Sequence, residues 1–323
     1  LILVSSATFF SLSVWFSTNA ISGALEIEKS IDESSIALLT VAVQLGFVFG
    51  TLLIAFTNLS DLVNARTLFA ISAVLAAATN LLVIPLESTP MLIAARFATG
   101  AFLGGVYPPA MKVISGWFIK GRGFALGTMV GALTIGSGSP HLLRSVFSEN
   151  WQAVIIGSSI LAVTGGLILK FIVTDGPHDV NGAKFNPKYL IGALTERGPR
   201  LALTGYLGHQ WELYAMWAWI GSFMLYVVGE KSLIGESLDL ASALTFLVFA
   251  IGAVASSYAG LWSEKIGRTA VTSIAMVISG TVAAFIGFIP PEMTLLIVIL
   301  AMIWGASIIA DSAQFSTAMT ELW

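Results

Sequence analysis

Long runs of apolar residues constrain this chain more than any other feature of its sequence. Ten segments are long and apolar enough to cross the ~30 Å hydrocarbon core of a bilayer as helices. They cover residues 1–24, 35–57, 67–86, 91–114, 124–143, 152–173, 200–228, 241–262, 270–289 and 293–315. Strands of a membrane β-barrel would be about 10 residues long with a period of two, which these runs lack. The sequence therefore predicts an all-α polytopic membrane protein with ten transmembrane helices.

The composition argues against the other classes of protein. Only 10% of the 323 residues are charged, against about 25% in soluble domains. That is too few charged side chains to cover the surface of a soluble protein of this length. The chain has no cysteine, and its net charge of -3 offers no basic surface for nucleic acid. No HExxH or GxSxG string occurs, and the three histidines are scattered. We therefore expect a protein that is not an enzyme and needs no metal or cofactor.

The distribution of Lys and Arg predicts the orientation. If the N-terminal side is cytoplasmic, eleven of the 15 basic residues lie on the cytoplasmic side, as the positive-inside rule requires. They are Arg66, Lys112, Lys120, Arg122, Lys170, Lys184, Lys188, Arg197, Arg200, Lys265 and Arg268, whereas Lys29, Arg144 and Lys231 lie outside. The chain starts without Met inside an apolar run, which predicts a fragment of a longer protein. We expect an integral protein of a bacterial inner membrane, with the lipid bilayer as a partner.

The halves of the chain are related. A Gly- and Pro-punctuated stretch, 174–199, is predicted to be a cytoplasmic linker between a six-helix bundle, 1–173, and a second bundle, 200–323. Asp61 and Glu264 match at a shift of 203 (264 − 61), as do Asn64 and Gly267. Asn and Gly are the residues most tolerant of a left-handed turn, so we expect one at both positions. This predicts an internal duplication, which is typical of secondary transporters.

These residues resemble the motifs of the major facilitator superfamily. Residues 260–268 resemble its G-x-L-[SA]-D-R-x-G-R loop motif, and residues 57–66 resemble a degenerate copy that keeps Asp61 and Arg66. Residues 96–100 resemble its R-x-x-x-G motif of helix 4. A further resemblance is to the Gly/Pro-rich motif of the family's helix 5, at Gly127, Gly131, Gly136, Gly138 and Pro140. The resemblance implies a two-bundle fold of twelve helices, so helices 11 and 12 would lie outside this chain.

Two strings are similar to a narrower branch. Residues 208–214 and 310–316 resemble bacterial permeases of the nitrate/nitrite and cyanate type. Nitrate porters carry an arginine in helix 2 and another in helix 8. Residues 35–57 and 241–262 contain neither Lys nor Arg, which argues against nitrate.

Charged residues within a membrane segment indicate function. At 1.5 Å per residue, Arg96 and Glu212 lie ~9 Å and ~12 Å from the outer face. The resemblance implies that helices 4 and 7 line a central cavity, so we hypothesise that both side chains face one pathway. Glu212 would then load and release a proton, and Arg96 would favour a small anion. The alternative for Glu212 is that it only makes a hydrogen bond within the protein. The alternative for Arg96 is that it only holds helices together.

Other polar residues are candidates for the same pathway. His209 shares the helix face of Glu212 and could relay a proton, or it could simply make a hydrogen bond. Tyr214 could line a substrate pocket or only pack. Tyr107 starts a Tyr-Pro-Pro sequence that should kink helix 4 and is also a pathway candidate. Asn19 and Gln44 could line the cavity or hold helices together.

The loop residues are candidates for gating. Asp61, Arg66, Glu264, Gly267 and Arg268 would bias one access state if their contacts form only in that state. The alternative is that they only stabilise the hairpins and set the topology.

Asp311, near the cytoplasmic end of helix 10, is expected to be a gate partner of Arg268. The other possibility for Asp311 is a direct role as a substrate ligand.

Together these features predict a secondary transporter that moves a small molecule by alternating access, with the proton as coupling ion. A small anion is the favoured substrate. The alternatives are a proton-driven exporter of drugs or metabolites, in which Glu212 holds a cation, and a transporter-like sensor that binds its ligand without moving it.

Overall fold

The computed structural model describes residues 1–147, 150–178, 191–192, 194–229 and 234–321. Every regular element in these ranges is a helix, and the prediction of an all-α protein is confirmed. The helices are α1 (Ile2–Ser11), α2 (Ser17–Ala20), α3 (Ser22–Glu28), α4 (Glu33–Thr57), α5 (Leu59–Leu62), α6 (Ala65–Leu81), α7 (Thr89–Leu103), α8 (Tyr107–Trp117), α9 (Arg122–Phe147), α10 (Trp151–Leu167), α11 (Arg197–Gly229), α12 (Ile234–Ile266), α13 (Arg268–Phe285), α14 (Thr294–Ala310) and α15 (Ser312–Glu321).

Six helical stretches in this part of the chain are long and apolar enough to cross a membrane. They are Ser34–Thr57, Thr89–Trp117, Trp151–Ile172, Leu238–Ile266, Arg268–Phe288 and Pro291–Ala318. Ile2–Val14 and Ala65–Leu81 are shorter apolar helices. The total of ten spans stays a prediction.

The chain divides into two compact units. The first contains Leu1–Ile119 and Gly136–Lys184, and the second contains Lys120–Ile135 and Phe185–Trp323. The start of α9 therefore belongs to the second unit and its end to the first. Residues 179–190 of the predicted linker lie outside the described residues. Its first residues pack on the end of α8, where Trp117 Nε1 donates to Thr174 O at 3.1 Å.

Each unit is organised around one extensive helix pair. In the first unit α4 packs against α7, and in the second α12 packs against α14. Glycines allow both approaches: a Cβ on Gly50 would overlap the carbonyl of Ala101, and one on Gly305 would lie 2.6 Å from Val248 O. The second predicted segment thus pairs with the fourth, and the eighth with the tenth. An internal duplication predicts this repeated pairing of corresponding segments.

The first predicted helix is not continuous, contrary to the expectation of a single span over 1–24. After α1 come a 3₁₀ turn, Leu12–Val14, and the turn Trp15–Phe16 before α2. Hydroxyl groups satisfy carbonyls in this break: Ser13 Oγ donates to Phe10 O at 2.7 Å, and Ser17 Oγ donates to Val14 O at 3.2 Å. Such side-chain bonds compete with the helical ladder and permit the interruption.

The fourth predicted helix is interrupted as well, close to the expected proline kink. It consists of α7 and α8, separated by the turn Gly104–Val106. Proline occupies the first turn of α8, where its missing N–H costs nothing. The interruption precedes the prolines because each one deprives an earlier carbonyl of its helical donor.

The expectation of a left-handed residue at both loop positions is wrong for Asn64. Gly267 has φ +89°, but Asn64 has φ −52° and caps α6, with its Oδ1 accepting from the backbone N–H groups of Arg66 and Thr67. A side-chain cap satisfies two N–H groups that a new helix leaves unpaired, which outweighs the tolerance of Asn for left-handed backbone. The left-handed residue of this loop is Asn58, with φ +51°.

Candidate functional site

Arg96 on α7 is completely buried in the first unit, with 0% exposure. Its Nη1 donates to Val14 O at 3.2 Å, to Ser17 Oγ at 3.3 Å and to Asn80 Oδ1 at 2.9 Å, and its Nη2 donates to Trp15 O. All four acceptors are neutral, and two of them are carbonyls freed by the break between α1 and α2. Arg96 therefore ties α7 to that break, as in the tether alternative.

Asn80 on α6 extends this network to α10. Its Nδ2 donates to Ser159 Oγ at 3.0 Å and to Ile155 O at 3.4 Å, and its Oδ1 also accepts from Ser17 Oγ at 2.7 Å. A buried amide with both ends bonded orients its neighbours firmly. The sequence analysis missed Asn80, although a lone Asn in an apolar segment is the signal that could have identified it.

Glu212 on α11 is half-buried in the second unit. Its Oε1 accepts from Trp304 Nε1 on α14 at 3.2 Å, and its Oε2 accepts from Ser279 Oγ on α13 at 3.2 Å. No Lys or Arg lies within ion-pair distance of it among the described residues. The carboxylate is thus held by two neutral donors. Neither donor is predictable from the sequence, because serine and tryptophan are common in membrane helices.

His209 has a different partner from the one expected of a relay to Glu212. Its Nδ1 lies 3.0 Å from Asp311 Oδ1, and its Nε2 lies 2.6 Å from Ser312 Oγ. The Nδ1 contact has ion-pair distance, but the ring N–H is not aimed at the oxygen as in a directed hydrogen bond. Both side chains are buried, at 1% and 2% exposure.

Asp311, the expected gate partner of Arg268, has its described ion-pair contact with His209. Arg268 Nη1 donates to Gln314 Oε1, at 3.0 Å. Asp311 and Gln314 are three residues apart at the start of α15, so they share one side of this short helix. The pairing of Asp311 with Arg268 stays a prediction.

The remaining pathway candidates are dispersed. Tyr214 lies edge-on to Trp217 at 6.2 Å, and Trp217 stacks on Phe249 at 5.2 Å, so the tyrosine belongs to an aromatic cluster of the second unit. Asn19 Nδ2 donates to Thr40 Oγ1 at 2.9 Å and joins α2 to α4. Two further candidates are half-buried: Tyr107 at the start of α8, and Gln44 on α4.

The first copy of the loop motif is closed by an acid that the sequence analysis did not identify. Arg66 Nε and Nη2 donate to the two oxygens of Asp175 at 2.7 and 2.8 Å, and Nη1 donates to Val173 O at 2.7 Å. Asn64 Nδ2 also donates to Asp175, at 3.1 Å. The guanidinium of Arg66, followed by Asn64, lowers the pKa of Asp175, and the hydrogen bond to Asp175 raises the pKa of Arg66. The contact joins the start of α6 to the chain after α10.

The second copy of the loop motif lies beside the start of α9. Glu264 is exposed, and its Oε1 would lie 3.3 Å from a Cβ on Gly123 at the start of α9, which Arg268 Nη1 also approaches, at 3.9 Å. Gly123, Glu264 and Arg268 all belong to the second unit. The remaining gating candidate, Asp61, has its backbone in α5, but its side chain is outside the described residues.

Comparisons with known proteins agree with this architecture. The family model described as "Major Facilitator Superfamily" matches residues 4–322. The crystal structure of a mutant of the nucleoside transporter NupG has a TM-score of 0.70 at 12% identity, covering 98% of this chain and 87% of that chain. The proton:xylose symporter XylE has a TM-score of 0.67 at 15% identity, covering 98% and 80%.

A bacterial homolog of the human lysosomal transporter Spinster, in its inward-facing and unoccupied conformation, has a TM-score of 0.68 at 16% identity, covering 99% of this chain and 77% of that chain. No curated protein matches the sequence. At these identities the solved structures show a shared fold.

Proposed function

We propose that the chain, which belongs to the major facilitator superfamily and is a membrane transporter rather than an enzyme, moves a small solute by proton-coupled alternating access. The distribution of Lys and Arg supports an orientation with the N-terminal side and the linker in the cytoplasm of a bacterial cell.

The surroundings of Glu212 carry the proposal of proton coupling. Its carboxylate, on a helix packed among apolar neighbours, accepts only from Ser279 Oγ and Trp304 Nε1 among the described residues. Protonation would remove a charge from these surroundings without breaking a described ion pair. The half-buried side chain can also exchange its proton with water. A carboxyl group with these properties can load a proton on one side of the membrane and release it on the other.

A small anion is the favoured substrate because of Arg96. It is the only Lys or Arg with a completely buried side chain in the described ranges, and none of its bonding partners is an acid. A positive charge in a low-dielectric region attracts anions even without contact. In the described conformation Arg96 would act through this field, because its side chain is completely buried and both Nη atoms donate to groups of the protein. The nitrate/nitrite and cyanate branch remains a narrower proposal.

An exporter of organic cations is the second candidate, and the aromatic cluster of Tyr214, Trp217 and Phe249 favours it. The cluster belongs to the same unit as Glu212: Tyr214 and Trp217 share its helix α11, and Phe249 lies on α12. Aromatic faces together with a carboxylate suit an organic cation. A sensor that binds without transport is the third reading.

A transport experiment tests the proposal directly. Nitrate, cyanate, acetate, uridine, xylose and ethidium would be screened at pH 6 and pH 8 for a rise in melting temperature of the purified protein. The stabilising compound would then be assayed in proteoliposomes for accumulation driven by a pH gradient and for counterflow. We expect Glu212→Gln to abolish the driven accumulation and retain counterflow. Undiminished driven accumulation in this variant would overturn proton coupling through Glu212, and absent counterflow in the wild type would favour the sensor.

The substrate class is decided by the same screen. Stabilisation by an anion that persists in Arg96→Lys and is lost in Arg96→Gln would support the role of the Arg96 charge. Stabilisation by ethidium alone, lost in Glu212→Gln, would support the exporter.

A further inference from the structure

Asn80 is the side chain on which the polar network of the first unit converges. Its Oδ1 accepts from Arg96 Nη1 at 2.9 Å and from Ser17 Oγ at 2.7 Å, while its Nδ2 donates to Ser159 Oγ at 3.0 Å. The residue has 0% exposure. Because a guanidinium only donates hydrogen bonds, the oxygen of the amide has to face Arg96. One neutral side chain therefore joins α2, α6, α7 and α10.

The positive charge of Arg96 has no counter-charge in this network. Its acceptors are Val14 O, Trp15 O, Ser17 Oγ and Asn80 Oδ1, all of which are neutral. Neither Asp nor Glu occurs in α2, α6, α7 or α10, the four helices of the network. Among the described residues, no carboxylate lies within ion-pair distance of the guanidinium. The network therefore retains the full charge of Arg96 in a region of low dielectric constant.

The substitution Asn80→Asp would change the charge of this network and hardly its shape, since the two side chains have the same number of heavy atoms. A carboxylate oxygen in the place of Oδ1 would lie 2.9 Å from Arg96 Nη1, and an opposite charge at that distance cancels most of the field farther away. The other oxygen would face Ser159, whose hydroxyl can turn to donate to it. The amide thus supplies the acceptor that Arg96 needs without cancelling its charge.

We propose that Asn80 determines the charge selectivity of the transporter: its amide holds the Arg96 guanidinium on the broken helix and leaves the charge uncompensated, so that it attracts an anionic solute. A buried charge without a counter-charge is costly, and within membrane segments such charges typically serve a function. Asn80 is a positioning residue, because it acts on the solute only through Arg96. The inference rests on the small-anion substrate proposed above and names the side chain that preserves this preference.

The charge of the network can be separated from its packing by a transport measurement on Asn80→Asp. The full chain would be placed in proteoliposomes, and the KM for counterflow of nitrate, cyanate and acetate would be measured at constant ionic strength. Counterflow is chosen because it does not require proton coupling. A unit charge ~10 Å away, at an effective dielectric constant of ~20, changes an affinity on the order of tenfold. We expect the KM of the transported anion to rise by that factor in Asn80→Asp, with a melting temperature at or above that of the wild type.

Three further variants serve as controls. Arg96→Gln leaves the network with the same net charge as Asn80→Asp and should raise the KM by a similar factor. Asn80→Ala removes an acceptor of Arg96, and Ser159→Ala removes a partner of Asn80 on α10, but neither changes the charge. Both should lower the melting temperature and leave the KM nearly unchanged. A purely structural role of Asn80 would instead make the loss of anion affinity follow the loss of stability.

The outcomes distinguish this inference from the proposed function. An unchanged KM in Asn80→Asp, together with a raised KM in Arg96→Gln, would overturn the role of Asn80 and retain the small-anion substrate. Equal rises in Asn80→Asp and Asn80→Ala would also overturn that role, because packing would then be the cause. Failure of Asn80→Asp to fold would overturn it as well, since the carboxylate would not be accommodated beside the guanidinium. A wild type that exchanges none of the three anions would overturn both proposals.

Discussion

Arg96 in the first unit and Glu212 in the second are both ionisable side chains among apolar helices, but their surroundings differ. Arg96 has four acceptors, two of them main-chain carbonyls of Val14 and Trp15, and it has no exposed surface. Glu212 has two side-chain donors and remains half-buried. The first charge bonds the backbone of a broken helix, whereas the two described bonds of the second are to side chains.

The two copies of the loop motif also differ, in the bonds that their arginines make. Arg66 binds Asp175 through two nitrogens and also caps Val173 O. Arg268 donates a hydrogen bond to the neutral Gln314. The described contact in the first unit is thus a bidentate ion pair, with both partners charged, whereas the described bond in the second unit has one charged partner.

The largest expected effect is that of Arg96→Ala. It removes the Arg96 donor from Trp15 O and leaves Val14 O and Asn80 Oδ1 to share the single Ser17 hydroxyl. Each unsatisfied group costs about 1–3 kcal/mol, so we expect a loss of about 2–6 kcal/mol. The melting temperature in detergent measures it. The matched change in the second unit is Glu212→Gln, which keeps an acceptor for Trp304 and should cost less than ~1 kcal/mol. Similar losses in both variants would contradict the contrast between the units.

A smaller effect is expected at the loops. Arg66→Ala should cost about 1–2 kcal/mol, because it breaks a bidentate ion pair and uncaps Val173. Arg268→Ala should cost less than Arg66→Ala, because the hydrogen bond to Gln314 has one charged partner and the ion pair of Arg66 has two. Melting curves of the two variants, each paired with the corresponding Arg→Lys change, would test this order. A larger loss of stability in Arg268→Ala than in Arg66→Ala would show that the second loop contributes more to stability than the first.

The smallest effect is a pH dependence at Asp175. Its pKa is lowered below 3.8 by Arg66, so its contribution to stability is present above pH ~4 and is lost as the pH falls through its folded value. The side chain is 39% exposed, so solvent screening should keep the contribution below ~1 kcal/mol. The wild type should therefore melt slightly above Asp175→Asn at pH 6, and the difference should shrink as the pH is lowered below ~4. A difference that grows on acidification would show that the ion pair is not its source.

Local patterns made several features of this protein predictable. The apolar segments predicted helices because a chain in lipid must satisfy its backbone internally, and the loop motif identified Gly267 and its positive φ. Arg96 and Glu212 could be singled out because charged side chains are rare in such segments. In each case the information lies within a few neighbouring residues.

The partners of those residues could not be predicted in the same way. Asp175 follows Arg66 by 109 residues, Asp311 lies about as far beyond His209, and Trp304 is 92 residues from Glu212. Gln314 even lies within a string that the sequence analysis quoted, but nothing local favours it over Asp311 as the partner of Arg268.

The sequence by itself therefore determined the membrane class, the family resemblance and which charges are buried, because these follow from hydropathy and short motifs. Only the tertiary structure decided that Arg96 closes a broken helix, that Glu212 is held by neutral donors and that His209 and Asp311 form a pair. The physical reason is that the partner of a buried polar group is set by helix packing. Rotating a helix by one residue brings a different side chain into contact, while the local pattern stays the same.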